Sequence, residues 1–255
     1  MNIARKQEIL RIVIIYVKVL FFWFCLISST HGMSYKVDRS FKLVFWDIEI
    51  GRLDVKAEIN DSRYVVSSLG SAKGIISFFS KIVISAGAVG IVNGSGDLIP
   101  SESSTKWHSY GKSKHTRLEY MNRKLAYFFN SPGLKRSYHI SNPIGLEETI
   151  DPVSLMLWFL MRHNQNQLCQ GELNVLDGFR MSKLKIFNRI NNGGSVICQG
   201  VLRRVSGFRE VEFKKAPLNF KIFYVNRLER GFFLTKLEIE TIFGKIKVVE
   251  DSKSK

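Results

Sequence analysis

Three cysteines and five prolines in 255 residues are too few for a disulfide-dense scaffold or a proline-rich linker. Histidine is equally sparse. His108, His115, His139 and His163 are scattered, and none makes the H-x-x-x-H pair of a helical metal site. A G-x-S-x-G elbow is missing as well. Gly87, Gly90, Gly94 and Gly96 lack the Lys-Ser/Thr ending of a phosphate loop, so they read as strand turns. Acidic residues number 22 against 38 basic ones, a net charge of +16, which favours anionic neighbours such as nucleic acid, lipid headgroups or acidic proteins. The basic residues (Lys42, Arg52, Lys56, Lys112, Lys114, Arg117, Arg123 and Lys124 among them) form no single arm. They suit solvated strand faces or one specific anion site, and both readings stay open. No apolar run reaches the ~20 residues that span a bilayer.

The strongest apolar run, Val19 to Ile27 (VLFFWFCLI), follows Arg5, Lys6 and Arg11 and precedes the small residues Ser28-Ser29-Thr30-His31-Gly32. This is the pattern of an export signal, and it places a cleavable peptide over residues 1–32. A retained anchor is the alternative, disfavoured because Lys18 interrupts the wider apolar stretch. Cys25 follows Trp23-Phe24 rather than a small residue and does not look like a lipidation site. The expected compartment is the periplasm, with secretion beyond the cell open. Residues 33–255 are expected to form a single β-rich domain that does not span the membrane after cleavage.

Removal of the signal leaves Cys169 and Cys198. In an oxidising compartment an even pair points to a disulfide, with free thiols or a two-ligand metal site as the alternatives. No histidine stands at zinc-ligand spacing beside either one. A bridge would close a loop of about thirty residues and add roughly 3.5 kcal/mol by chain entropy.

The dominant period is two. Phe41 to Trp46 leads into Ile48 to Ile59, where apolar and charged residues alternate, and Asn60-Asp61-Ser62 turns the chain into Arg63 to Ser68. Thr116 to Tyr120 and Lys124 to Phe129 pair around Met121-Asn122-Arg123. Two β-rich halves, 33–130 and 169–249, are joined by a long loop and by one helix over 151–163. Asp151 is its N-cap and Pro152 its first residue. Asp177-Gly178 signals a tight hairpin turn between Leu173 to Leu176 and Phe179 to Ile190. Asn191 to Gly194 makes the next turn, and strands over Ser195 to Val205, Phe220 to Val225, Phe232 to Ile239 and Thr241 to Val249 follow.

No catalytic residue, metal ligand or cofactor is assigned. Capping explains Asp151 and turn formation explains Asp177; the adjacent Glu147 and Glu148 point apart as a carboxylate pair. Trp107-His108, with Tyr110 and Lys112, could stack bases or sugars or serve as ordinary strand aromatics.

Taken in order, Ile50-Gly51, the Y-x-V-x-S strand from Tyr64, Leu98-Ile99-Pro100, Asp151-Pro152-Val153-Ser154, Val175 to Gly178 and Val205-Ser206-Gly207-Phe208 resemble the exported bacterial family called domain of unknown function 3108. The resemblance runs from about Lys36 to Val249. It departs in the strongly basic balance and at Leu176, where an aromatic residue is expected. It implies a mainly β fold, a strongly curved antiparallel sheet or incomplete β-barrel with one helix packed on or in it, and no established enzymatic activity. By analogy with other curved periplasmic sheets, the expected function is a non-enzymatic envelope protein that holds a lipid-like ligand or a partner protein. Phe78, Phe79 and Trp158 are expected at the pocket mouth. If the helix plugs the concave face, that pocket is expected to disappear. The alternative is a secreted basic protein that binds anionic partners, nucleic acid or a host protein. A hydrolase would need His108, His139 and Asp151 to meet in a cleft.

Overall fold

The computed structural model describes residues 35–74, 77, 81–132, 139–161, 168–227 and 231–251. The chain divides into two units, Met1–Met33 and Ser34–Lys255. All described residues belong to the second, so the expected signal peptide lies outside them.

That unit is one fourteen-stranded sheet. Its first half comprises β1 (Tyr35–Phe45), β2 (Ile48–Asn60), β3 (Arg63–Ala72), β4 (Val83–Val92), β5 (Leu98–Ser109), β6 (Lys112–Met121) and β7 (Lys124–Ser131). After the short β8 (Thr149–Ile150) comes helix α1 (Pro152–Leu160). The second half comprises β9 (Gly171–Leu176), β10 (Met181–Asn192), β11 (Ser195–Ser206), β12 (Leu218–Asn226), β13 (Phe232–Thr241) and β14 (Gly244–Glu250), with a single helical turn α2 (Glu210–Phe213) between β11 and β12. The strand order is β7-β6-β5-β4-β3-β2-β1-β14-β13-β12-β11-β10-β9-β8, antiparallel except for β8 beside β9. The two expected halves are therefore meanders fused where β1 pairs with β14.

Alternation builds the strands. On β2, Val55, Ala57 and Ile59 are buried while Lys56 and Asn60 are exposed, as a half-solvated sheet requires. Register shifts at Leu43/Val44, Val89/Gly90, Glu119/Tyr120, Phe187/Arg189 and Phe223/Tyr224 bend the strands, because a bulge adds local twist. The resulting sheet is curved almost into a barrel. Its ends meet through the chain before β8: the Leu125 amide donates to the Leu146 carbonyl (2.9 Å), Gly145 to Leu125 (2.7 Å) and Glu148 to Arg123 (3.1 Å). Leu118, Tyr120, Leu125 and Leu176 form a small core under this seam.

The main core fills the interior from both halves, and α1 lies in it. Val153, Leu157 and Leu160 are buried among Val55, Val66, Leu184, Ile186, Cys198, Ile222 and Tyr224. Asp151 caps the helix as the sequence predicts: its Oδ1 accepts from the amides of Val153 and Ser154, both at 2.9 Å. Arg162 and His163, the expected last residues of this helix, lie outside the described residues.

Three details differ from the sequence reading. Trp46-Asp47 is a turn and not part of a continuing strand, with φ of 49° and 60°. Gly87 and Gly90 lie within β4, so only Gly94 and Gly96 serve a turn. Gly90 is required there, since a Cβ would sit 2.6 Å from the Tyr64 ring. Asp177-Gly178 opens a four-residue connection and not a two-residue one, because β10 begins only at Met181. Asp177 Oδ1 accepts from the Phe179 and Arg180 amides at 2.8 Å each, and this side-chain turn folds Phe179 into the interior.

A candidate ligand cavity above the helix

Cross-strand register aligns Leu53, Gly70, Ile84, Trp107 and Lys114 in one row across β2 to β6. The next row toward the helix carries Val55, Ser68, Ala86, Thr105 and Thr116. The positions of this second row are mostly small. The facing half fills its own inward positions with Leu184, Ile186, Val196, Phe220, Ile222, Tyr224 and Leu234, all buried. Close packing on one side and small side chains on the other leave a void, which close-packed interiors rarely tolerate without a use.

That void is a cavity of about 820 Å³, inside the range of about 300–1,000 Å³ usual for small-molecule sites. Its walls are Leu43, Ile50 to Leu53, Ile82, Ile84, Ala86 and Trp107; its floor is Pro152, Val153 and Met156 of α1, and Phe179 closes one side. The helix therefore plugs one part of the barrel and leaves the rest open, correcting the expectation that a plug would abolish the pocket.

Charge in the cavity is sparse. Arg52 is engaged by Asp54 at 3.0 Å and Asp251 at 3.6 Å. Asp177, which also lines the cavity, accepts the two amides of its turn on Oδ1. Lys114 is different: its Nζ stands 4.5 Å over the Phe179 ring, and no carboxylate lies within 4.0 Å of it among the described residues. Phe179 is itself held edge-on by Phe128 at 5.0 Å, so the ammonium rests on a fixed aromatic platform.

The expected pocket residues fall elsewhere. Phe78 and Phe79 lie outside the described residues. Trp158 lines a separate cavity of about 220 Å³ with Tyr120, Arg123, Glu148 and Thr149, and does not reach the large one. Asp177 does line the large cavity. Trp107 faces into it, whereas His108, the next residue on the strand, is exposed on the other face, so the two do not form one stacking surface.

Below the cavity floor is a buried polar cluster. Ser154 Oγ donates to Asp151 Oδ2 at 2.6 Å and lies 2.7 Å from Tyr64 Oη. Burial pushes the Asp151 carboxyl above its usual range, against the hydrogen bonds from Ser154 and Val153 that pull it down. Burial likewise raises the Tyr64 and Tyr120 phenols, keeping both neutral. Asp151 is fully enclosed while His108 points outward and His139 packs on Phe179 at 4.8 Å. The three do not meet in a cleft. Among the described residues no group of three His, Cys, Asp or Glu side chains is placed to hold a metal.

Cys169 and Cys198 are joined, with Cα atoms 4.9 Å apart. The bond ties the entry of β9 to β11 across the intervening β10. Among the described residues no helix is long and apolar enough to cross a membrane.

Sequence reasoning expected a pocket inside the curved sheet but missed Lys114 and the residues that line it. The available signal was the run of small inward residues at Ser68, Gly70, Ala86, Ser103 and Thr105, which becomes visible only once the register is known.

No family model matches the chain, and no curated protein matches it. Among solved structures it is similar to the crystal structure of a beta-barrel-like protein of domain of unknown function DUF1849 from Brucella abortus, with 7% sequence identity over 85% of this chain and 95% of that chain and a TM-score of 0.47.

Proposed function

We propose that this protein is a non-enzymatic carrier of the bacterial envelope that holds an elongated apolar ligand with an anionic head in the cavity above α1. The observation that carries the reading is the pairing of a mostly apolar space of about 820 Å³ with one ammonium, Lys114, that has no carboxylate partner within 4.0 Å among the described residues. An acyl chain gains about 0.8 kcal/mol for each methylene it buries, and a carboxylate or phosphate head supplies the charge that Lys114 lacks. With this reading go export to the periplasm through residues 1–32 and kinship with domain of unknown function 3108, both resting on the sequence patterns quoted above.

The test is native mass spectrometry, with lipid extraction, of the protein recovered from the periplasm of its own or a related host. A lipid bound near one-to-one that survives high salt is the expected result. An empty protein removes the carrier reading. A partner lost steeply with salt favours the alternative, a basic protein binding anionic macromolecules through counterion release.

A further inference from the structure

The two ends of the barrel differ in what their turns carry. At one end the described turns are Asp61-Ser62, Asn93 to Asp97, Asn122-Arg123 and Gly193-Gly194, the polar residues and glycines that tight turns favour. At the other end, the end that holds the cavity, the two-residue turns are Trp46-Asp47, Tyr110-Gly111 and Ile242-Phe243, beside the longer connections 177–180 and 207–217, the latter with Val211 and Phe213 exposed. Trp46 is 72% exposed, Ile242 76% and Phe243 72%. Because β1 pairs with β14, two of these tips are neighbours, and the Trp46 indole nitrogen lies 2.7 Å from where a Cβ on Gly244 would stand.

Trp46 is also held at a positive φ of 49°, which costs an L-residue with a bulky side chain about 1–2 kcal/mol. Asn or Gly would make this turn at little cost. Burial of the ring does not offset the strain, since the ring faces solvent, and such a strained residue is a pointer to function.

Lys73, Lys81, Lys112 and Lys245 are exposed at the same end, with no carboxylate within 4.0 Å among the described residues. Among the described acids there, Glu49 and Glu240 are exposed, Glu210 is exposed but paired with Lys214 at 2.9 Å, and Asp47 is taken up by Lys247 at 2.8 Å. Lysine is depleted at protein interfaces. Trp, Tyr and Phe mixed with lysine is instead the composition of a surface that sits at lipid headgroup level.

We infer that this end of the barrel docks on an anionic lipid bilayer, with Trp46, Ile242 and Phe243 entering the headgroup region and the lysines meeting lipid phosphates. The inference rests on the turns and stands for an empty barrel; with the carrier reading, it sets the cavity at the membrane surface.

The test is co-sedimentation of the exported protein with vesicles of equal parts phosphatidylcholine and phosphatidylglycerol, and with phosphatidylcholine alone. The parent is expected to bind the mixed vesicles more tightly, and lipids brominated on their acyl chains to quench fluorescence that Trp46→Asn removes. Combined Trp46→Asn, Ile242→Ser and Phe243→Ser should weaken binding at least about tenfold, or about 1.4 kcal/mol. Met121→Ser at the opposite end should leave it unchanged. Circular dichroism confirms that each variant is folded. A parent that ignores both vesicles, a triple variant that binds like the parent, or an equal loss in Met121→Ser overturns the inference. Lipid retained by the triple variant in native mass spectrometry keeps the cavity reading separate from this one.

Discussion

Tyr64 Oη and Ser154 Oγ meet at 2.7 Å in the interior, and this bond fastens the first turn of α1 to β3. When Asp151 is ionised, Ser154 gives its proton to Asp151 and Tyr64 is the donor to Ser154. Burial keeps the Tyr64 phenol neutral.

Tyr64→Phe removes that donor while keeping the ring. It should destabilise the fold by about 1 kcal/mol, read as a lower urea midpoint with an unchanged m-value. Asp151→Ala loses the helix cap and strands buried donors, and should cost more, about 1–2 kcal/mol for the cap alone.

Asp151 also sets a pH dependence. Its folded pKa is raised by burial, so the folded state holds the proton at pH values where the unfolded chain, with a carboxyl near about 3.9, has released it. Stability from this group is full below the unfolded value and falls as pH rises through the folded one. Asp151→Asn keeps the cap without the titration. Urea unfolding across acidic to neutral pH should show the parent losing ground to the Asn variant; a constant difference contradicts the assignment.

The bridge between Cys169 and Cys198 closes a loop of 29 residues in sequence separation. Replacing both by serine should lower stability by about 2–4 kcal/mol, measured by chemical denaturation of parent and variant side by side. Cys198 is wholly buried, so a larger loss is expected at that position than at Cys169.

Gly70 offers a clean way to fill the cavity. A Cβ there meets nothing closer than 3.8 Å, and a strand glycine costs roughly 0.5–1 kcal/mol. Gly70→Leu should raise the melting temperature slightly and abolish ligand retention. Lys114→Gln should instead spare stability and neutral lipids while weakening acidic ones about five- to tenfold, roughly 1 kcal/mol. Titration with a fatty acid and its methyl ester separates the two effects.

The strands, the capped helix and the cysteine pair were legible because each is written in local sequence: alternation on β2, Asp-Pro before an apolar run, and two cysteines in one domain. The turn at Trp46 was not legible, since it contains none of the Gly, Asn or Pro that mark turns and its geometry is imposed by the β1–β2 pairing. The lining of the cavity was hidden for another reason. Its small residues Ser68, Gly70, Ala86, Ser103 and Thr105 are spread over three strands, and each looks like an ordinary strand position until the sheet curls. Trp158 was misplaced because helical spacing gives a face but not the part of the interior that the face meets.

The pairing of β1 with β14 has a consequence for how the molecule is assembled. Phe41 is hydrogen-bonded next to Glu250, so the first strand of the sheet gains its second neighbour only after the last strand has arrived. Until then both meanders present an open strand edge, which is a template for pairing with other chains. Such long-range closure is slow by topology. The barrel thus passes its most aggregation-prone moment late, with everything in place but its final strand.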